Sequence, residues 1–337
     1  MKSFYKNFRQ SIDARLRLHF SNKAYSEEMA YAMSQMLKLP LQQAINLAAS
    51  GAKQRAQLNR LPQAKDYSRA LQELRNMRVP LDVSQALTEL ETHANSAYLL
   101  ALPFTVSAMS LLAHLVSDPR RRFCIVDTPL TRYYFYSFVM APETRERVQL
   151  LAPAAMLRHN RARLETSPAE NITYVTFPDL ETTTLDTARR ITFFGEDYQF
   201  STLEPLLFFR GLPLFTFDAA EFAATHHLRL SACPLANRPA VSEDDVDALL
   251  VWLAERMEQV FREVPADVLS WIDTRLLAYS MKAITAVMKL KMVEGYLRAW
   301  KVADPGFADA AFNRSIAELQ KAQETIDKER LAAIVSA

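Results

Sequence analysis

Residues 118–126 read Asp118-Pro-Arg-Arg-Arg-Phe-Cys-Ile-Val126. The Asp-Pro pair stops whatever precedes it, because proline has no N–H and pushes the residue before it out of the helical region. Phe123-Cys-Ile-Val126 is then a short β-rich run following a breaker. Upstream, no Asp, Glu, Lys or Arg occurs from Ala94 to Ser117. That length would suffice to span a bilayer, but Asn95, Pro103, His114 and several Ser and Thr interrupt it, so it reads as a buried helix, 97–117, of an α/β domain. Downstream the same alternation continues. Tyr174-Val-Thr-Phe177 is bounded by Asn171 and Pro178, and Arg190-Ile-Thr-Phe-Phe194 ends at Gly195. Leu212-Pro-Leu-Phe-Thr-Phe217 follows Gly211, and Leu228-Arg-Leu-Ser231 is one more apolar run. Helical stretches at 143–165 and 199–209 lie between them. Short strands separated by helices imply an α/β sandwich: a mixed, largely parallel sheet flanked by helices.

Both ends are helical in texture. Residues 24–88 carry a Ser26 cap before Glu27 and Glu28, then Met33, Met36, Leu37 and Leu41 at helical spacing, with breaks at Leu39-Pro40 and Val79-Pro80. Ser242, with Asp245 three residues on, opens a long helix. After Trp271 the chain is helix-like, broken at Pro305-Gly306, and ends in a charged helix at 310–333. This gives an N-terminal helical region at 1–84, an α/β domain at 85–278 and a C-terminal helical extension at 279–337. In residues 1–23, Phe4, Phe8, Ile12 and Leu16 recur among Lys and Arg, as in an amphipathic helix. The plain reading packs this helix on the domain, and the sharper one lays it on an anionic membrane surface. No secretory signal pattern occurs, so the expected place is the cytoplasm, with a peripheral position on the inner face of the membrane as the alternative.

Composition excludes several functions. Forty Lys+Arg against 38 Asp+Glu leave a net charge of +2, too balanced for a protein that coats nucleic acid. The two cysteines, Cys124 and Cys233, make neither a disulfide framework nor a Cys-based zinc site. Five scattered glycines cannot build the phosphate loops of P-loop or dinucleotide-binding enzymes. The six histidines form no H-E-x-x-H pattern, so no metal is expected, and no G-x-S-x-G elbow occurs.

One histidine stands where an α/β sheet gathers ligands. His93 falls between a candidate strand at 85–91 and the apolar helix after it, a strand-carboxyl-end position. After it come Phe123–Val126, Thr176-Phe-Pro-Asp179, Ile191-Thr-Phe-Phe-Gly195, Arg210-Gly-Leu-Pro-Leu-Phe215, and Met257-Glu-Gln-Val-Phe-Arg-Glu-Val-Pro265 followed by Trp271-Ile-Asp-Thr-Arg275. This ordered set, over roughly 85–278, resembles the lysophospholipid acyltransferase superfamily, in its branch of late lipid A (lauroyl or myristoyl) acyltransferases.

The resemblance implies an acyltransferase of bacterial lipid metabolism, moving a fatty acyl group from an acyl carrier protein or coenzyme A thioester to a hydroxyl or amine. The thioester is the co-substrate and no further cofactor is implied. His93 would be the general base, removing the acceptor proton. Asp127, Asp179, Gly195 and Arg275 would shape the substrate site. The family's histidine is followed five residues later by an acid that orients it. Here His93-Ala-Asn-Ser-Ala-Tyr98 has Tyr98 at that position. Asn95, Ser96, Glu91 or Asp127 would have to orient the imidazole instead. The alternative is a catalytically degenerate acyltransferase fold that acts as a binding or partner subunit. Other residues carry plainer readings: Glu258 and Arg262 as an i,i+4 pair, Phe193 and Phe194 as core, and the lysine-rich stripe from Lys282 to Lys301 as a solvated face or a carrier or lipid dock.

Overall fold

The computed structural model describes residues 29–269, apart from 31, 35, 59–60, 62–65, 94–95, 167–169, 181–187, 223–224 and 236–241. The basic stretch 1–23, Ser26, Asn95, Trp271, Arg275, the Lys282–Lys301 stripe and the extension 279–337 therefore lie outside the described residues.

The chain is α/β. After the helical residues 29–30, 32–34 and 36–37 come α1 (Leu41–Ser50), α2 (Ala52–Leu58) and α3 (Tyr67–Arg75). Pro40 begins α1, and α3 is capped by Asp66, whose carboxylate accepts from Arg69 N. Then follow β1 (Leu81–Asp82), α4 (Ser84–Glu91), β2 (Tyr98–Ala101), α5 (Val106–Leu115), β3 (Arg122–Val126), α6 (Pro129–Tyr134), α7 (Tyr136–Met140) and β4 (Val148–Leu151). The rest comprises α8 (Pro153–Thr166), β5 (Ile172–Thr176), β6 (Ala188–Phe193), β7 (Glu196–Ser201), α9 (Leu203–Phe208), β8 (Leu214–Phe222), β9 (Thr225–Ala232) and α10 (Glu243–Glu263). Seven strands form one sheet in the order β1-β9-β8-β2-β5-β3-β4. Strands β8, β2, β5, β3 and β4 are mutually parallel. β9 runs antiparallel to β8, and β1 is parallel to β9. Helices α8, α9 and α10 pack on one face, and α5, with α2, α3 and α4 against it, covers the other.

Four expected elements are corrected. The run 85–91 is helix α4, because Asp82 Oδ1 accepts from Ser84 N at 2.9 Å and starts a helical turn there. The expected helix 97–117 is a strand followed by a helix. Tyr98 to Ala101 are all buried between β8 and β5, and a strand buried on both faces has no alternation to reveal it. Helix α5 begins only where Thr105 Oγ1 accepts from Ala108 N at 3.0 Å. The stretch 143–165 contains edge strand β4 before α8, whose first residue is Pro153, a residue suited to that position. The stretch 199–209 is the end of β7 and then α9, with Ser201 Oγ accepting from Leu203 N at 3.0 Å.

Strands β6 and β7 form a separate two-stranded hairpin. Its two-residue turn is Phe194-Gly195, at φ 53° and 79°. Such a turn needs left-handed backbone at both positions, which glycine takes freely and phenylalanine does not. Phe194 is held there by helix α10: its N–H donates to Glu258 Oε1 at 2.5 Å, and the Arg262 guanidinium lies 4.9 Å from its ring centre. The Glu258–Arg262 pair closes at 3.1 Å. Phe193 beside it packs edge-on to Phe200 and Phe261, joining the hairpin to α10 through a buried aromatic cluster. Helix α10 starts at the predicted Ser242, in a reciprocal capping box with Asp245.

Candidate functional site

In an open parallel sheet the ligand crevice lies beyond the strand carboxyl ends, where successive connections depart in opposite directions. From β2 the chain crosses β5 to reach β3, and from β5 it returns past β2 to β8. Such switch points flank β5: the gap between the ends of β2 and β5, taken first, and the gap between β5 and β3, whose connection runs outward to β4. Leu102-Pro103-Phe104-Thr105 leaves β2 there, and Phe177-Pro178-Asp179 leaves β5.

That crevice is filled by the chain itself. Asp179 is fully buried, and both its carboxylate oxygens accept from Phe104 N, at 3.1 and 2.9 Å. Its backbone carbonyl accepts from Tyr198 of the hairpin at 3.3 Å. Two residues into α5, Ser107 N donates to both oxygens of Asp267, at 3.2 and 3.3 Å. Asp267 comes from the segment after α10, and its backbone carbonyl takes Val106 N at 3.0 Å. Phe104, Tyr134, Phe135 and Phe177 close over the turn as a cluster of rings. The first N–H groups of a helix, with the turn before it, are the usual anion seat of such folds. Here they are occupied by two of the protein's own carboxylates. Burial raises the Asp267 carboxyl to about 6, opposed by its hydrogen bonds to Ser107 and Thr105.

Asp127, also proposed as a substrate residue, follows β3 at the same end of the sheet. Its carboxylate forms a two-pronged pair with Arg132, at 2.5 and 2.7 Å, and both side chains are mostly buried. Thr128 and Thr131 form a capping box that starts α6 between them. Gly195 sits in the β6–β7 turn, and that hairpin reaches Asp179 through Tyr198.

His93 does not join these groups, and its expected position is corrected. It follows helix α4 and precedes β2, so it lies at the amino end of the parallel strands, with the length of β2 between it and the crevice. Its ring packs at a tilt against Phe215, with centroids 4.6 Å apart, and stands edge-on to Tyr98 at 6.4 Å. Among the described residues no side chain hydrogen-bonds the imidazole. Ser96, expected to help orient it, is exposed, and its hydroxyl donates to the His93 backbone carbonyl at 3.2 Å. The same carbonyl accepts from buried Arg121 at 2.8 Å. Arg121 also donates to the Ser96 carbonyl and Thr173 Oγ1, and its guanidinium lies 4.6 Å from the Tyr98 ring centre. Tyr98, standing where the resemblance expects an acid, thus belongs to a cation–π contact that fastens the turn.

A second polar cluster lies under α8. His159 Nδ1 meets the Tyr174 hydroxyl at 2.9 Å, with Cys124 Sγ at 3.9 Å. Burial lowers the His159 pKa, raises that of Tyr174 and pushes the Cys124 thiol up to about 12, so the thiol is inert as a nucleophile. Among the described residues no cluster of His, Cys, Asp and Glu has metal-binding geometry. Among the same residues no helix is long and apolar enough to cross a membrane.

Sequence reasoning missed Thr105, Ser107 and Asp267. Thr105 two residues after Pro103 is a cap signal, hidden inside what read as one continuous helix. Asp267 carries no local signal, since its partner is 160 positions away. No protein-family model and no curated protein matches this chain.

Proposed function

We propose that the chain is a catalytically degenerate protein of acyltransferase-like fold, acting as a binding or partner subunit and not as an acyl-transfer catalyst. One observation carries this reading: the switch-point turn, where a base would have to reach an acceptor hydroxyl, spends its N–H groups on Asp179 and Asp267 and has no histidine within it. A general base must come within hydrogen-bond reach of the proton it removes, and His93 stands at the other end of the strands. Asp179 is also unsuited to that work, because both oxygens are committed to one backbone N–H inside the core. The acyl-carrier and thioester partners implied by the motif order become molecules to be bound, with an outer surface of the domain as the contact.

The test uses the full chain with an acyl-carrier-protein thioester and, separately, an acyl-CoA, following release of free thiol. The expected result is no release above the protein-free rate, equal in wild type and His93→Ala. Thiol release by the wild type that His93→Ala abolishes overturns the reading and makes His93 the base.

A further inference from the structure

The six residues after α10 lie across the crevice. Leu269 N donates to Phe104 O at 2.8 Å, Val106 N donates to Asp267 O at 3.0 Å, and Thr105 pairs with Val268 in an isolated antiparallel bridge. Val264, Asp267, Val268 and Leu269 are buried. On its other side the segment presses on the junction between α1 and α2. A Cβ at Gly51 would collide with the Ala266 carbonyl oxygen and the Arg55 guanidinium, and Arg55 Nη1 donates to the Ala266 oxygen at 3.3 Å. The segment is thus held on one side by backbone hydrogen bonds and on the other by the Arg55 guanidinium and the close approach of Gly51, and one carboxylate on it is taken out of water.

The groups that face this carboxylate are few. From the β2–α5 turn and α5 come the Thr105 hydroxyl and Ser107, whose Oγ also accepts from Leu81 N at the start of β1. From α2 the Arg55 guanidinium meets the neighbouring Ala266 carbonyl, and from the end of β5 the Asp179 carboxylate meets Phe104 N. Among the described residues no cation pairs with Asp267. Its charge is balanced only by neutral donors, a costly arrangement for a buried carboxylate.

We infer that residues 264–269 are a strap that closes the switch-point crevice and loosens when the Asp267 carboxyl ionises. This holds whichever way the acyl-transfer test falls, since it rests on the strap's contacts and not on His93. The closed strap keeps the Asp267 proton up to about pH 6, whereas the solvated group, at its ordinary value of 3.8, has already lost it. Closing therefore takes up a proton between these values, and rising pH favours opening. With those two values, linkage raises the open-to-closed ratio roughly tenfold between pH 5 and pH 8.

Hydrogen–deuterium exchange of the full chain at pH 5 to 8, corrected for intrinsic rates, tests the strap. The Val106 and Ser107 amides are expected to lose about tenfold in protection across that range, while Leu100 in β2 and Val175 in β5 keep theirs. In Asp267→Asn, which keeps the shape without the charge, the Val106 and Ser107 protection should be flat with pH. A flat wild-type profile overturns the inference. So does a loss shared equally by Leu100 and Val175, which would mean the whole domain opens and the strap does not. The wild-type series decides even if the variant does not fold.

Discussion

The two ends of the parallel strands differ in how they use charge. At the carboxyl end, Asp179 and Asp267 are buried, and each gives both oxygens to one backbone N–H of a single turn. At the amino end, buried Arg121 collects the carbonyls of His93 and Ser96 and lies over Tyr98, while the His93 ring rests half-exposed on Phe215. Carboxylates thus satisfy surplus donors where the strands end and a helix starts, and a guanidinium satisfies surplus acceptors where a strand is about to begin. Both arrangements answer the demand that buried backbone groups be paired. Among the described residues, neither leaves an oriented acid–base pair facing an opening. A polar residue at a strand end is evidence of chemistry only after its hydrogen bonds have been assigned, and here Asp179 and Asp267 accept from the chain's own backbone N–H groups.

This contrast can be broken by substitution. Asp179→Ala leaves the Phe104 N–H buried without a partner, and we expect a loss of roughly 3 kcal/mol in urea unfolding, at the upper end for an orphaned buried group. A loss well under 1 kcal/mol would mean that the carboxyl end is less closed than its contacts indicate. Gly51→Ala drives a methyl into the Ala266 carbonyl from behind the strap. It should cost about 2 kcal/mol by overpacking, together with faster exchange at Val106; unchanged exchange there would show that the strap is not braced by α1 and α2. His93→Ala is the smallest effect, about 0.5 kcal/mol, because the ring is partly exposed and the anchored group is its backbone carbonyl. A cost equal to that of Asp179→Ala would erase the difference between the two ends.

The fold was legible where a short apolar run met a clear breaker. Phe123–Val126 after Asp118-Pro119 and Tyr174 before Pro178 lie within a residue or two of β3 and β5, and Arg190–Phe194 ending at Gly195 locates β6 and its turn. Ser242 with Asp245 gave the start of α10 outright. β2 was illegible because all four of its residues are buried and it runs, after only Leu102 to Thr105, into an equally apolar helix, so the two read as one element. That misreading displaced the crevice. With 97–117 taken as one helix and 85–91 as strand, His93 fell at a strand's carboxyl end, whereas the turn that occupies this place is Phe104-Thr105. Of the expected site residues, Asp127 and Asp179 do lie at the ligand end of the sheet. What the sequence could not show is that Arg132 and the Phe104 amide already hold them, since the second of these contacts spans 75 positions.

The central claim is that the switch-point turn is sealed by the protein's own carboxylates, and the Phe104 amide reports on it most directly. Its exchange should be among the slowest in the domain at pH 5 to 6, comparable to Leu100 in β2, and should accelerate when Asp179 is replaced by Ala. A Phe104 amide that exchanges in wild type as fast as one in the exposed turn at Ser96 would show the crevice open to solvent and contradict the account.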